Sequence, residues 1–331
     1  MDRIEQRIRE AVKDLFHKDR VDLVIGFREG SLPLKSRPVF VRSEDMADDL
    51  VWNAFCRGNL AVYLPKLFPP QPQRDEDKKP YPKIGLVAKG CDARSIIGLI
   101  KEHQVHRDNV VIIGTPCLGM VDKEKVEAVM DGDAAAQCTE GENGIFHITG
   151  ISGTKKSVPG EEIFADSCLE CPCPLPEEAD VQIEGESRKP AAKKYEQVET
   201  FEARSSEERW QYFVDEIATC IRCYACRQAC PNCYCNVCFT DQTKPRWNGP
   251  GDDLSDLMLF HIGRIFHQAG RCVECDACVH ACPMGIDLRL FTRKLGKDVK
   301  ELFGYVPGRP EEQPPLCVFR MDDNQDFITE P

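Results

Sequence analysis

Nineteen of the 331 residues are cysteine, and many fall at spacings that suit soft-metal chemistry. Cys220, Cys223, Cys226 and Cys230 are followed by Pro231, and the same run returns as Cys272, Cys275, Cys278 and Cys282 before Pro283. Thiols at such density pair as disulfides, hold zinc, or ligate iron and sulfide, and spacing and compartment decide between these. The stretch MDRIEQRIREAVKDLF is charged throughout and lacks the apolar core of a secretory signal. No apolar run approaches the roughly 20 residues that span a bilayer. The expectation is a cytoplasmic chain without a membrane span, whose thiols are reduced and open to metal. Zinc usually takes two Cys-x2-Cys pairs a dozen or more residues apart. Here each set is a closed run of four, present twice, which leaves zinc the weaker reading.

The run Cys-x2-Cys-x2-Cys-x3-Cys-Pro is identified as the signature of bacterial dicluster ferredoxins. In that pattern three thiolates wrap one cubane in a tight loop. The fourth, past the turn and entering a helix, ligates the partner cluster, and the Pro suits a first helical turn. The resemblance implies two 4Fe–4S clusters. One would lie on Cys220, Cys223, Cys226 and Cys282, the other on Cys272, Cys275, Cys278 and Cys230. Between the runs, Cys233, Cys235 and Cys238 in PNCYCNVCF offer a further metal site, alternative ligands or packing thiols. An insertion then carries a helix-like LSDLMLFHIGRIF that ends before Gly270. Its His261 and His267 read as surface or packing residues.

Regular elements must position further thiols upstream. Ile84–Ala88 and Val110–Ile113 are buried-strand runs, with a helical pattern between them over Ser95–His103. Strand, helix, strand at this length is a βαβ unit with parallel strands. Each strand end carries a Gly and then a Cys, so Cys91 and Cys117 fall together at the carboxyl edge of the sheet, where such folds bind ligands. Cys168 and Cys171 add a Cys-x2-Cys loop, and the four thiols complete a third 4Fe–4S site, with Cys56 or Cys173 as substitutes. Ordinary buried cysteine is the competing reading. Ile4, Ile8, Ala11, Val12, Leu15 and Phe16 fall at helical spacing and predict an amphipathic first helix. Gly150–Ser157 lacks phosphate-loop spacing and reads as a turn.

The predicted architecture is an α/β domain with a parallel βαβ core over 1–180, then a linker over 181–210. An α+β dicluster ferredoxin-like domain with a helical insertion follows over 211–300, and a tail over 301–331. Apolar residues are 42% and charged residues 30% of the chain, which excludes general disorder. A net charge of −12 without a long basic run argues against nucleic acid as a partner. No Ser-His-Asp set, Cys-His pair or GxGxxG after a strand is present, so no catalytic residue is assigned.

VAKGCDA, IIGTPCLGM and SCLECPCP…EADVQIEG, across residues 40–185, resemble the beta subunits of coenzyme F-420-reducing hydrogenases and dehydrogenases. The related beta-type subunits of sulfhydrogenases and anaerobic sulfite reductases share the pieces. The resemblance implies an iron–sulfur subunit of an anaerobic oxidoreductase complex, with Cys117, Cys168 and Cys171 as ligands. Its partners would be a flavoprotein or hydrogenase on one side and a heterodisulfide reductase-type enzyme on the other. The leading expectation is therefore a non-catalytic electron-transfer subunit. The alternative is an FAD-containing subunit that exchanges hydride with coenzyme F-420 or NAD(P)H. A zinc-binding module is the third class.

Overall fold

The computed structural model describes residues 2–69, 80–141, 144–191, 195–311 and 313–314. Most of the expected tail, with Cys317, lies outside the described residues. The first helix, Asp2–His17, buries Ile8, Val12 and Leu15 on one face, as the spacing predicts. It packs on a sheet built from β1 (Leu23–Glu29), β2 (Ser36–Val41), β3 (Ile84–Ala88) and β4 (Val110–Gly114). An antiparallel meander follows, β5 (Ala135–Glu140), β6 (Ile145–Gly150) and β7 (Lys155–Pro159), and then β8 (Val181–Gln182). The main sheet has the order β2-β1-β3-β4-β8, with β2 antiparallel and the other pairs parallel. The chain thus has an α/β fold on a mixed sheet. Every residue of β3 and β4 is buried, the mark of parallel strands covered on both faces. Gly150–Ser157 holds the turn between β6 and β7.

Two expectations need correction. The stretch read as a linker supplies β8, whose Val181 pairs with Ile113 and Gln182 with Gly114. Two paired residues in a Glu-rich segment are too few to leave a periodic signal. Beyond β8 the described residues form helices and loops and no strand, so the second half, as far as it is described, is helical and not α+β. Its backbone is committed to loops around thiols and to the helices Ser206–Ala218, Leu254–His267 and Arg289–Phe303.

The crossover helix spans Gly90–Lys101 and begins earlier than its apolar pattern suggests. Asp92 explains the early start: its carboxylate accepts from the Lys89 backbone N–H at 2.9 Å and closes the first turn. Gly90 must be glycine, because a Cβ there would stand 1.8 Å from the Cys173 carbonyl oxygen. The two halves are joined by buried polar contacts. Arg94 donates to the carbonyls of Val273 (3.2 Å) and Pro307 (2.9 and 3.0 Å). Arg271 grips both carboxylate oxygens of Glu102 at 2.6 and 2.7 Å. Among the described residues no helix is long and apolar enough to cross a membrane.

Candidate metal centres

The two cysteine runs fold into the same loop. Arg222 and Tyr224 in the first, and Glu274 and Asp276 in the second, all take left-handed backbone angles, with φ of 51°, 57°, 63° and 65°. Such angles are rare for residues other than glycine and mark a backbone bent for a purpose. In each loop the N–H two residues after the first cysteine donates to its sulfur at 3.4 Å, Arg222 to Cys220 and Glu274 to Cys272. A short helix then carries the third thiol, Cys226 in Ala225–Ala229 and Cys278 in Ala277–His280.

Proximity sorts the eight thiols into two sets. Cys272, Cys275, Cys278 and Cys230 all lie close enough to feel one another's charge. Cys220 and Cys226 are near each other and near Cys282, and Cys223 neighbours Cys220. The last cysteine of each run therefore sits with the other run's first three. A cavity of about 580 Å³, counted to its open mouth, is lined by Cys220, Cys223, Cys226 and Cys282, with Cys278 on its wall. Cys226 and Cys278 bring the two sets within range of one another's charge.

The third group gathers at the sheet edge. With Ala88 beside Gly114 in register, Cys91 and Cys117 lie three residues past paired positions. They line a cavity of about 560 Å³ with Cys168, Cys171 and Cys173. Cys275 of the second set also faces this cavity, and Cys91 feels its charge. The Met120 N–H donates to the Cys168 sulfur at 3.4 Å, repeating the contact seen in the other two sets. Cys56 stays outside: it is fully buried in the core, where its thiol contacts Val51 and Asn53. Cys173 remains a candidate by position.

The chemistry of the walls fits an anionic group bound by thiolates. Lys89 and Arg57 line the third cavity, Lys89 paired with Asp92 at 2.9 Å and Arg57 with Asp276 and Asp122 at 3.0 and 3.4 Å, and the Arg188 Nη1 beside it is buried without a hydrogen-bond partner. Burial works against the Lys89 charge, but Asp92 and Cys91 outweigh it and hold its pKa above the ordinary lysine value. Burial pushes the thiols up, Cys171 and Cys226 to about 11 and Cys275 to about 12. Metal binding at these sites must therefore displace protons. Among the described residues no three His, Cys, Asp or Glu side chains converge in the manner of a single-ion site.

Cys233, Cys235 and Cys238 line a wider opening of about 1430 Å³ beside Cys230. Gln268 bridges the two neighbours, accepting from the Cys230 thiol at 3.6 Å and donating to the Cys233 sulfur at 3.7 Å. His267 borders this opening, whereas His261 is buried against the first set. Sequence reasoning missed the cations Lys89, Arg57, Arg188 and Arg264. Lys89 had a signal, a charge wedged between an apolar strand and Gly90-Cys91.

No protein-family model matches the chain. It is 24% identical over 363 aligned positions to the F420-dependent formate dehydrogenase subunit beta of Methanocaldococcus jannaschii, covering 92% of each. To the F420-dependent formate dehydrogenase 1 subunit beta of Methanococcus maripaludis it is 24% identical over 367 positions, covering 92% of this chain and 90% of that one. Among solved structures, a chain of the F420-reducing NiFe hydrogenase complex from Methanosarcina barkeri matches with 14% identity and a TM-score of 0.34. That match covers 51% of this chain and 61% of the other. The chain thus resembles beta subunits of F420-dependent oxidoreductases, as the motifs in residues 40–185 lead one to expect.

Proposed function

We propose that this chain is the electron-transfer subunit of a multi-subunit oxidoreductase, with three thiol-lined centres in one continuous series. The observation that carries the reading is the continuity itself. Cys275 belongs to the second set yet faces the third cavity, and Cys278 belongs to the second set yet lines the first. Bound 4Fe–4S groups would each supply one-electron chemistry at these places. The protein's own part is to hold the thiols, keep water from the middle set, and supply N–H donors and cations that set the potentials. Cys223 is exposed, and Ile221 and Met284 beside it are exposed apolar residues, so the first set faces outward towards a partner subunit. A flavoprotein, hydrogenase or heterodisulfide reductase-type protein has the matching chemistry.

A second reading is favoured by one groove. Arg7, Glu140, Gly141, Gly160, Glu161, Gly185 and Arg188 line a large opening next to the third cavity, and Arg188 borders both. A flat redox molecule such as FAD would sit there against glycine backbone, one residue from the thiol centre, and the names of the relatives fit an F420-linked hydride step. Anaerobic reconstitution tests both readings. About twelve irons per chain, four for each centre, support the series. About eight or fewer, with Cys117→Ser causing no loss, overturn the third centre. FAD released by acid from chain purified without added flavin supports the second reading, and its absence removes it.

A further inference from the structure

The helix Leu254–His267 is inserted between the two cysteine runs, and it brings two polar side chains one turn apart to the thiols. Arg264 is 7% exposed, and among the described residues no carboxylate pairs with it. Its Nε is buried without a hydrogen-bond partner, its Nη2 reaches the Cys226 carbonyl at 3.4 Å, and the guanidinium also hydrogen-bonds the Cys278 sulfur. The guanidinium instead lies among Cys226, Cys230, Cys233 and Cys278, and borders the openings on both sides. His261 is 3% exposed, lines the first cavity, and has no partner for either ring nitrogen.

Both features are unfavourable in a protein interior without something to answer them. A buried cation needs a counter-charge, and a buried ring N–H needs an acceptor. An iron–sulfur group on four thiolates supplies both, because it carries net negative charge, gains one more unit on reduction, and offers sulfur acceptors. Resting on the reading of the eight cysteines as ligands, we propose that Arg264 is the shared counter-charge of the two ferredoxin-type centres. Its charge favours the reduced form of each and so raises both potentials, while His261 donates to the first centre alone. The inserted helix is then a tuning element laid across a two-cluster domain. Arg264 acts on the potentials through space and carries no electron itself.

The test uses the full chain, reconstituted anaerobically, with iron and sulfide measured before any potential. Midpoint potentials then follow from redox titration monitored by electron paramagnetic resonance. Arg264→Gln should keep its iron and shift the reduction equilibrium of both centres at least tenfold towards the oxidised form, 59 mV for a one-electron couple. His261→Phe should lower the first centre only, and by less. Full iron with unchanged potentials in Arg264→Gln overturns the proposal. If that variant loses iron, Arg264→Lys decides: potentials near those of the parent support a charge effect, and a tenfold fall refutes it. Absence of iron from the parent chain itself would fault the ligand reading instead.

Discussion

The first half of the chain and the second half solve the folding problem differently. In the first, Val24, Ile25, Ile84, Leu86, Ile112 and Ile113 are fully or almost fully buried at the centre of one large apolar cluster. In the second, a few residues, among them Phe213, Ile217, Leu257 and Ile265, form a small cluster, and the loops turn around cysteines. Apolar burial at about 25 cal/mol per Å² can offset the entropy of ordering the first half. The second has only a small apolar cluster, so on the proposed function ligation supplies much of its stability. The difference teaches that cysteine has two places here, a buried packing residue at Cys56 and a loop-forming thiol at Cys220 or Cys272, where the proposed function puts a ligand.

The strongest way to break this contrast is to remove the metal. Chelation under oxidising conditions should abolish protease resistance after Ser205 while the sheet of the first half persists. A metal-free chain that resists proteolysis along its whole length would erase the distinction. Next in size, Cys230→Ala should damage the centre on Cys272, Cys275 and Cys278 and spare the one on Cys220, Cys223 and Cys226. Loss of the latter alone, seen by paramagnetic resonance, would show that each run serves itself.

The packing cysteine should answer to pH rather than to iron. Burial raises the Cys56 thiol from its ordinary 9.0 to about 11. A thiol raised on folding contributes stability that is complete below about pH 9 and is lost as pH climbs through 11. The stake is about 3 kcal/mol, two units at 1.36 each. Denaturant midpoints taken from pH 8 to 11 should fall, and Cys56→Ala should flatten that slope; parallel slopes would contradict it. The smallest effect lies at the junction. Ser205 caps the helix Ser206–Ala218, accepting from the Glu208 N–H at 3.2 Å while the Glu208 carboxylate accepts from the Ser205 N–H at 2.8 Å. Ser205→Ala should cost about 1 kcal/mol, and a thermal midpoint unmoved by the change would mean that the domain stands without its cap.

The two halves were also unequally legible. β3 and β4 are continuous apolar runs, and the structure sets their bounds within a residue of those read from the sequence. The grouping of the cysteines was readable because equal spacings give the same loop, and both loops carry paired left-handed residues. β8 was not readable, since its pairing is supplied by β4 and not by its own two residues. Arg264 and His261 were hidden for a similar reason. Polar residues on the buried face of an amphipathic helix look like errors of pattern until the thiols they face are known. Leu257, His261, Arg264 and Ile265 all lie on that buried face, so the break in the pattern was itself the signal.

Arg94 has a consequence for how the protein is made. This side chain, on the crossover helix beside Cys91, is held by carbonyls of Val273 and Pro307, and Gly308 fits against it only because it lacks a Cβ, which would lie 2.4 Å from the Arg94 Cβ. Synthesis runs from the amino terminus, so Cys91 and Cys117 emerge long before Cys275, Val273 and Pro307 exist to close their surroundings. A ribosome-bound chain exposes these thiols on an unfinished sheet edge, open to oxidation. On the proposed function, the third centre would be completed only after Val273 and Pro307 have been synthesised and folded against Arg94.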